Sequence, residues 1–199
     1  MSVTGVRRLP AALFAAVAFG ILVGAFKGND AGMRGAIGNL SAPWLLVAFI
    51  PSLRCRSLAR GAVVGVLSTG VALAAFYATL TVVLAGHLGG GGYVRELAVE
   101  VAANRVYFLA GLLTGPLFGA LGAWVGRTHP RGVWLVVGGL VAGEIVAVDL
   151  LQGRQLMPPP LYLVWGVDDW TPYVAEAIVG VAIIVAALWH RSVHRSSGQ

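Results

Sequence analysis

The sequence predicts an all-α, polytopic membrane helix bundle: six transmembrane helices forming one membrane domain over residues 1–199, with both termini cytoplasmic. Three observations predict it. The chain is 58% hydrophobic and only 11% charged, whereas an ordinary soluble domain carries about 25% charged residues. Folded in water, it would expose far more contiguous apolar surface than soluble proteins do. Six apolar runs recur along it, most long enough to cross a hydrocarbon core of about 30 Å as a helix. Its basic residues punctuate those runs, as topology signals do.

The net charge of +6 does not indicate nucleic-acid binding, because a nucleic-acid binder gathers its basic residues on one water-facing surface. Cys55 is the only cysteine, so no disulfide forms within the chain. Arginine outnumbers lysine 13 to 1, and Ala, Gly and Val abound, as in proteins of GC-rich bacterial genomes.

The first run, residues 9–26, follows Arg7 and Arg8. A basic start and an apolar run resemble a signal peptide, but the run is long and no small-x-small cleavage site closes it, so it is expected to remain as a helix. Ala12, Ala16, Gly20 and Gly24 recur every fourth residue and offer a face on which another helix packs closely. The second run, residues 37–53, starts unusually, with Asn39-Leu40-Ser41-Ala42-Pro43-Trp44. One reading makes Asn39 or Ser41 a helix cap, with Pro43 in the first turn. The other is a broken or re-entrant start that leaves backbone groups and the Asn39 amide facing a cavity.

Arg54, Cys55, Arg56 and Arg60 form a basic link. Cys55 is expected to be an unmodified loop cysteine; a thiol pKa lowered by the flanking arginines and a lipidated cysteine are the other readings. The third run, residues 61–86, carries Ser68, Thr69, Tyr77, Thr79 and Thr81 as candidate interhelical hydrogen-bonders. A glycine-rich joint, residues 87–92, lacks the phosphate-loop pattern. Residues 93–105 are amphipathic, with Val94, Leu97 and Val101 on one side and Glu96, Glu100 and Asn104 on another. They either lie along the interface or extend the fourth helix outward.

The fourth run, residues 106–126, holds Gly111, Gly115 and Gly119, the clearest small-residue ladder in the chain, and Pro116, which should kink it. The fifth, residues 133–151, contains Glu144 and Asp149, with Gly139 and Gly143 as further packing glycines. A carboxylate at the centre of a spanning helix costs about 2.5–3.5 kcal/mol. A proline- and aromatic-rich link, residues 152–172, precedes the sixth run, residues 173–189, which carries Glu176 in its first turn. Residues 190–199 read as a flexible tail.

Six crossings place Arg7, Arg8, Arg54, Arg56, Arg60, Arg127, Arg131, Arg191 and Arg195 on one side, with no acidic residue. The other side holds Lys27, Arg34, Arg95, Arg105 and Arg154 together with five acids. The positive-inside rule makes the first side cytoplasmic. Glu144 then lies roughly 10 Å inside the outer end of its helix, and Glu176 roughly 6 Å inside the outer end of the sixth. Glu144 and Asp149 point about 140° apart around one helix, which argues that the fifth helix is central in the bundle.

Two readings of the acids follow. In one, Glu144 is structural: protonated and bonded to a neighbouring helix, or paired with Arg105. In the other, Glu144 and Glu176, with Asp149 shallower and Asn39, Asn104 and Arg105 as polar neighbours, form an outward-facing site for a proton, a cation or a small solute, with Asp168 and Asp169 gathering cations at its mouth. A transporter or a substrate-binding membrane subunit is therefore expected, with a non-transporting scaffold as the alternative. Its partners are the lipid bilayer of a cell membrane, a small solute or cation, and a partner membrane subunit or a second copy. No HExxH, CxxC or GxSxG pattern occurs, so no catalytic residue, metal or cofactor is assigned.

Residues 39–49, Asn-Leu-Ser-Ala-Pro-Trp-Leu-Leu-Val-Ala-Phe, the basic turn after them and Phe76-Tyr77 resemble a family of uncharacterised actinobacterial integral membrane proteins. The resemblance covers about a third of the chain. It implies a multi-pass bundle with no assigned activity and singles out Asn39 and Trp44. Here Leu40 stands where the family pattern has serine directly after asparagine, displacing the serine by one. The six-helix plan also resembles, in architecture alone, the substrate-binding subunits of energy-coupling-factor vitamin transporters. That likeness implies that the face of Ala12, Ala16 and Gly20 docks a coupling subunit.

Overall fold

The computed structural model describes residues 8–28, 32–84, 92–154 and 169–196, and among them every regular element is helical. They form α1 (Arg8–Lys27), α2 (Met33–Gly38), α3 (Ser41–Ser52), α4 (Leu58–Leu84), α5 (Tyr93–Ala103), α6 (Arg105–Thr128), α7 (Val133–Arg154) and α8 (Thr171–Ser196), with a 3-10 turn at Pro130–Gly132. Six segments are long and apolar enough to cross a membrane: Leu9–Lys27, Met33–Ser52, Leu58–Leu84, Arg105–Thr128, Val133–Leu150 and Thr171–His190. Large apolar side chains such as Phe14, Leu22, Leu113, Leu117 and Trp189 stand exposed on the outside. In water that girdle would drive aggregation; against lipid it is ordinary.

The second span is not one helix. It is built from α2 and α3, broken at Asn39 and Leu40. Leu40 leaves the helical region, with φ −57° and ψ 128°, and Pro43 follows in the first turn of α3, where it lacks an N–H that no helix carbonyl would meet. The second span therefore has the broken start that the sequence offered as one reading. Asn39 and Ser41 do not cap α3 with their side chains.

Helix α4 is the most embedded element, packing most extensively on α6 and α1 and also on α3 and α5. Glycines set those distances. Gly61 and Gly65 of α4 meet Gly115 and Gly119 of α6 backbone to backbone, and Gly111 faces Leu73 and Thr69. Gly122 and Gly126, on another stripe of α6, press against the carbonyls of Phe49 in α3 and of Leu53 just after it. The ladder read from the sequence is thus real, and α6 carries two of them. The α6 helix runs on through Pro116. Gly20 and Gly24 of α1 pack on Ala72, Ala75, Phe76 and Thr79 of α4, and Ala16 is buried. The small-residue face of α1 is therefore filled by α4, and does not stand free to dock a coupling subunit.

Helix α7 is not central. It pairs with α8 and touches α3 only lightly. The α7–α8 contact is made by Gly138, Ala142 and Gly180. Gly139 and Gly143, expected to pack helices, instead have no heavy atom near the position of an added Cβ. They line the same cavity as Glu144, so one stripe of α7 looks onto open space rather than onto a helix.

Helix α5 is separate from α6, the two meeting at Asn104 (φ −105°, ψ 18°). It lies against α4, with Leu97 and Val101 turned to the cluster of Leu73, Phe76, Tyr77 and Leu80; Val94 does not share that side and is exposed. Gly92, at φ +81°, starts it in a backbone region that favours glycine. Helix α8 continues to Ser196, so residues 190–196 are helical rather than a flexible tail. The hydroxyls of Thr79 and Thr81 donate to the carbonyls of Ala75 and Tyr77 within their own helix, not across helices. The α3–α4 hydroxyl bond comes from Ser52, which donates to the Gly61 carbonyl at 3.1 Å. Cys55 is half-buried; burial pushes its thiol above the ordinary range, outweighing the opposing pull of Arg60, so the arginines do not activate it.

Candidate functional site

The break between α2 and α3 creates the site. Helix α3 has 12 residues and is about 18 Å long, short of the roughly 30 Å hydrocarbon layer. Across a bilayer its N-terminus would fall inside the apolar zone, where each unmet backbone N–H costs several kcal/mol. Glu144 of α7 meets two of them. Its carboxylate accepts from the Ser41 amide and, at 2.6 Å, from the Ala42 amide. The positive end of the α3 dipole adds to this attraction. The residue is buried, 6% exposed, which is tolerable for an acid only because both oxygens are engaged.

Around this junction lies a cavity of about 640 Å³, within the range that holds a small organic ligand. Every helix except α5 contributes to its wall. Trp44, Phe76, Tyr77, Tyr107 and Tyr173 make it aromatic, while Lys27, Asn39, Thr69, Asn104, Thr114 and Glu144 supply polar groups. Gly111, Gly139 and Gly143 lie in the wall and keep it open. Part of the wall belongs to a chain of edge-to-face and stacked rings, Phe19–Trp44–Phe76–Tyr77–Phe108, with centroids 5.0–5.4 Å apart. These contacts lock the ring orientations.

Asn39 Oδ1 accepts a 2.7 Å hydrogen bond from Lys27 Nζ, which also lies 5.8 Å from the Phe76 ring centroid. Asn104 Nδ2 donates to the Glu100 carbonyl and carboxylate. The Thr69 hydroxyl is buried without a partner among the described residues.

Of the residues expected from the sequence, Glu144, Asn39 and Asn104 come together in this cavity. Glu176 is near enough to Glu144 for the two charges to act on each other, and its buried Oε2 has no partner among the described residues; it does not line the cavity. Asp149 is exposed on another face of α7, and Arg105 is exposed at the start of α6; neither reaches the site. Glu144 is satisfied by backbone amides and not by Arg105. Asp169 is engaged at the start of α8, where hydrogen bonding to the Thr171 side chain and then to its backbone amide, which donates to Oδ1, holds its carboxyl below the usual carboxylate range; Asp168 and the triple proline lie outside the described residues.

Sequence reasoning missed Lys27, Tyr107 and Tyr173 as wall residues. The signal for the first was present: it is the sole lysine, at the very end of an apolar helix. Comparison with protein-family models, characterised proteins and solved structures finds no match to this chain.

Proposed function

We propose that the protein is a small-solute-binding membrane protein of a bacterial cell membrane, a transporter or the solute-binding subunit of one. The single observation that carries this is the aromatic-walled cavity of about 640 Å³ at the break in the second span. Broken helices at membrane depth persist where they line a cavity or bury their ends in protein, and transporters build solute sites from them. Its size and aromatic walls suit an organic solute better than a bare cation, and Lys27 in the wall repels cations.

Both termini are cytoplasmic in this reading, because the basic residues cluster in the links on that side. Lys27, Asn39, Asn104 and Tyr173 then sit at the outer end of the bundle, so solute enters from outside. A C-terminal reporter that is active only in the cytoplasm is the expected result; activity only on the external side overturns the topology.

The cavity is tested by filling it. A Cβ added at Gly143 meets no heavy atom within 4 Å, so Gly143→Leu should fold as the wild type does while filling part of the space beside Glu144. A thermal-shift screen of small organic solutes on the detergent-solubilised protein should yield compounds that raise the wild-type melting temperature. A ligand at 100 times its Kd adds about 2.7 kcal/mol. The same compounds should not stabilise Gly143→Leu. Equal stabilisation of both, or of neither, sinks the proposal.

A further inference from the structure

The wall holds one carboxylate and one ammonium, and they are not in the same condition. Glu144 already accepts two backbone N–H groups at the positive end of α3, so its charge is compensated within the protein. Lys27 is not compensated in this way. Its hydrogen bond goes to a neutral oxygen, Asn39 Oδ1 at 2.7 Å, and its other neighbour is the Phe76 ring, which attracts a cation only weakly. Glu100 acts on it through Coulombic attraction alone, and no carboxylate among the described residues touches it. An ammonium has three N–H donors, so donors remain for a ligand.

The aromatic faces define the rest of the ligand. Trp44 and Phe76 lie edge to face, 5.4 Å apart, beside Tyr77. Fixed rings of this kind accept a flat, apolar body at little entropic cost, since they are already ordered. From this charge imbalance beside a fixed aromatic wall, we infer that the cavity takes a planar organic anion. Its acid group pairs with Lys27 and Asn39, and its ring lies against Trp44, Phe76 and Tyr77. The inference rests on the solute-binding reading and names the class of solute.

Three probes of one shape and different charge test it: 2-naphthoate, 2-naphthylmethanol and 2-naphthylmethylammonium, titrated calorimetrically at neutral pH into the wild type, Gly143→Leu, Lys27→Gln and Lys27→Arg. A charge-assisted hydrogen bond is worth about tenfold or more in affinity. The wild type should therefore bind 2-naphthoate at least about tenfold more tightly than either other probe. Lys27→Gln should lose that preference, and Lys27→Arg should keep part of it. If the alcohol or the ammonium binds as tightly as the acid in the wild type, the anion assignment is overturned while the cavity reading stands. If no probe binds, or all bind Gly143→Leu as they bind the wild type, the cavity reading itself falls. Should Lys27→Gln fail to fold, the order of the three probes on the wild type decides alone.

Discussion

Glu144→Leu should destabilise the protein by about 3 kcal/mol, the loss of one buried and one part-buried hydrogen bond to a charged acceptor. The substitution leaves the amides of Ser41 and Ala42 with no acceptor inside an apolar layer, where water does not replace the bond readily. It also removes the negative charge from the positive end of α3. Glu144→Gln is the graded control. Its single carbonyl oxygen keeps one of the two bonds, while its NH₂ group faces the other amide donor, so it should fall between wild type and Leu. Melting curves in one detergent order the three. A Leu variant that melts with the wild type would mean that α3 finds another cap, and that Glu144 does not hold the broken span together. This effect is structural. It is compatible with Glu144 also facing a solute, because the same carboxylate forms part of the cavity wall.

Gly119→Val should abolish the folded protein. A Cβ at Gly119 overlaps the Gly61 carbonyl and lies 2.9 Å from the Gly65 Cα, and one at Gly65 overlaps the Gly115 carbonyl. The obstacles are backbone on both helices, so no rotamer change relieves them. Overpacking in cores typically costs about 1–3 kcal/mol where side chains give way; here α4 and α6 have to separate. Gly119→Ala should sit at or above the top of that range. Gly139→Ala is the matched control. It lies in an equally apolar helix, but a Cβ there meets nothing, so its stability should stay within about 1 kcal/mol of wild type. Size-exclusion chromatography of the solubilised variants reads the difference directly. A monodisperse Gly119→Val protein would show that the α4–α6 contact is looser than its geometry.

The same pair of glycine sets shows where legibility in the sequence ends. Spacing by four announces a small-residue stripe but carries no information on what the stripe meets. Gly111, Gly115 and Gly119 meet α4, as expected. Gly139 and Gly143 have the same spacing and face open space, while Gly138, one residue away, makes the helix contact. A rotation of about 100° separates the two outcomes, and only the packing of α7 on α8 selects between them. The acids behave likewise. Counting residues gave each acid a position along its helix, but their angular separation did not make α7 central. Glu144 turns into a cavity and Asp149 sits exposed on another face of α7, so the helix carries both from the rim of the bundle.

The amino-acid sequence by itself determined the membrane class, the six spans and their approximate limits, because crossing an apolar layer constrains composition and length residue by residue. It also marked the second span as irregular, through Asn39, Leu40 and Pro43, and marked Glu144 as an acid in need of partners. Only the tertiary structure decided that these two irregularities answer each other, since their bonds join residues more than a hundred positions apart. Such a pairing leaves no periodicity, and neither does a cavity wall drawn from seven helices. Lys27 and Asn39 sit at opposite ends of a link and read as unrelated polar residues until the fold places the ammonium on the amide.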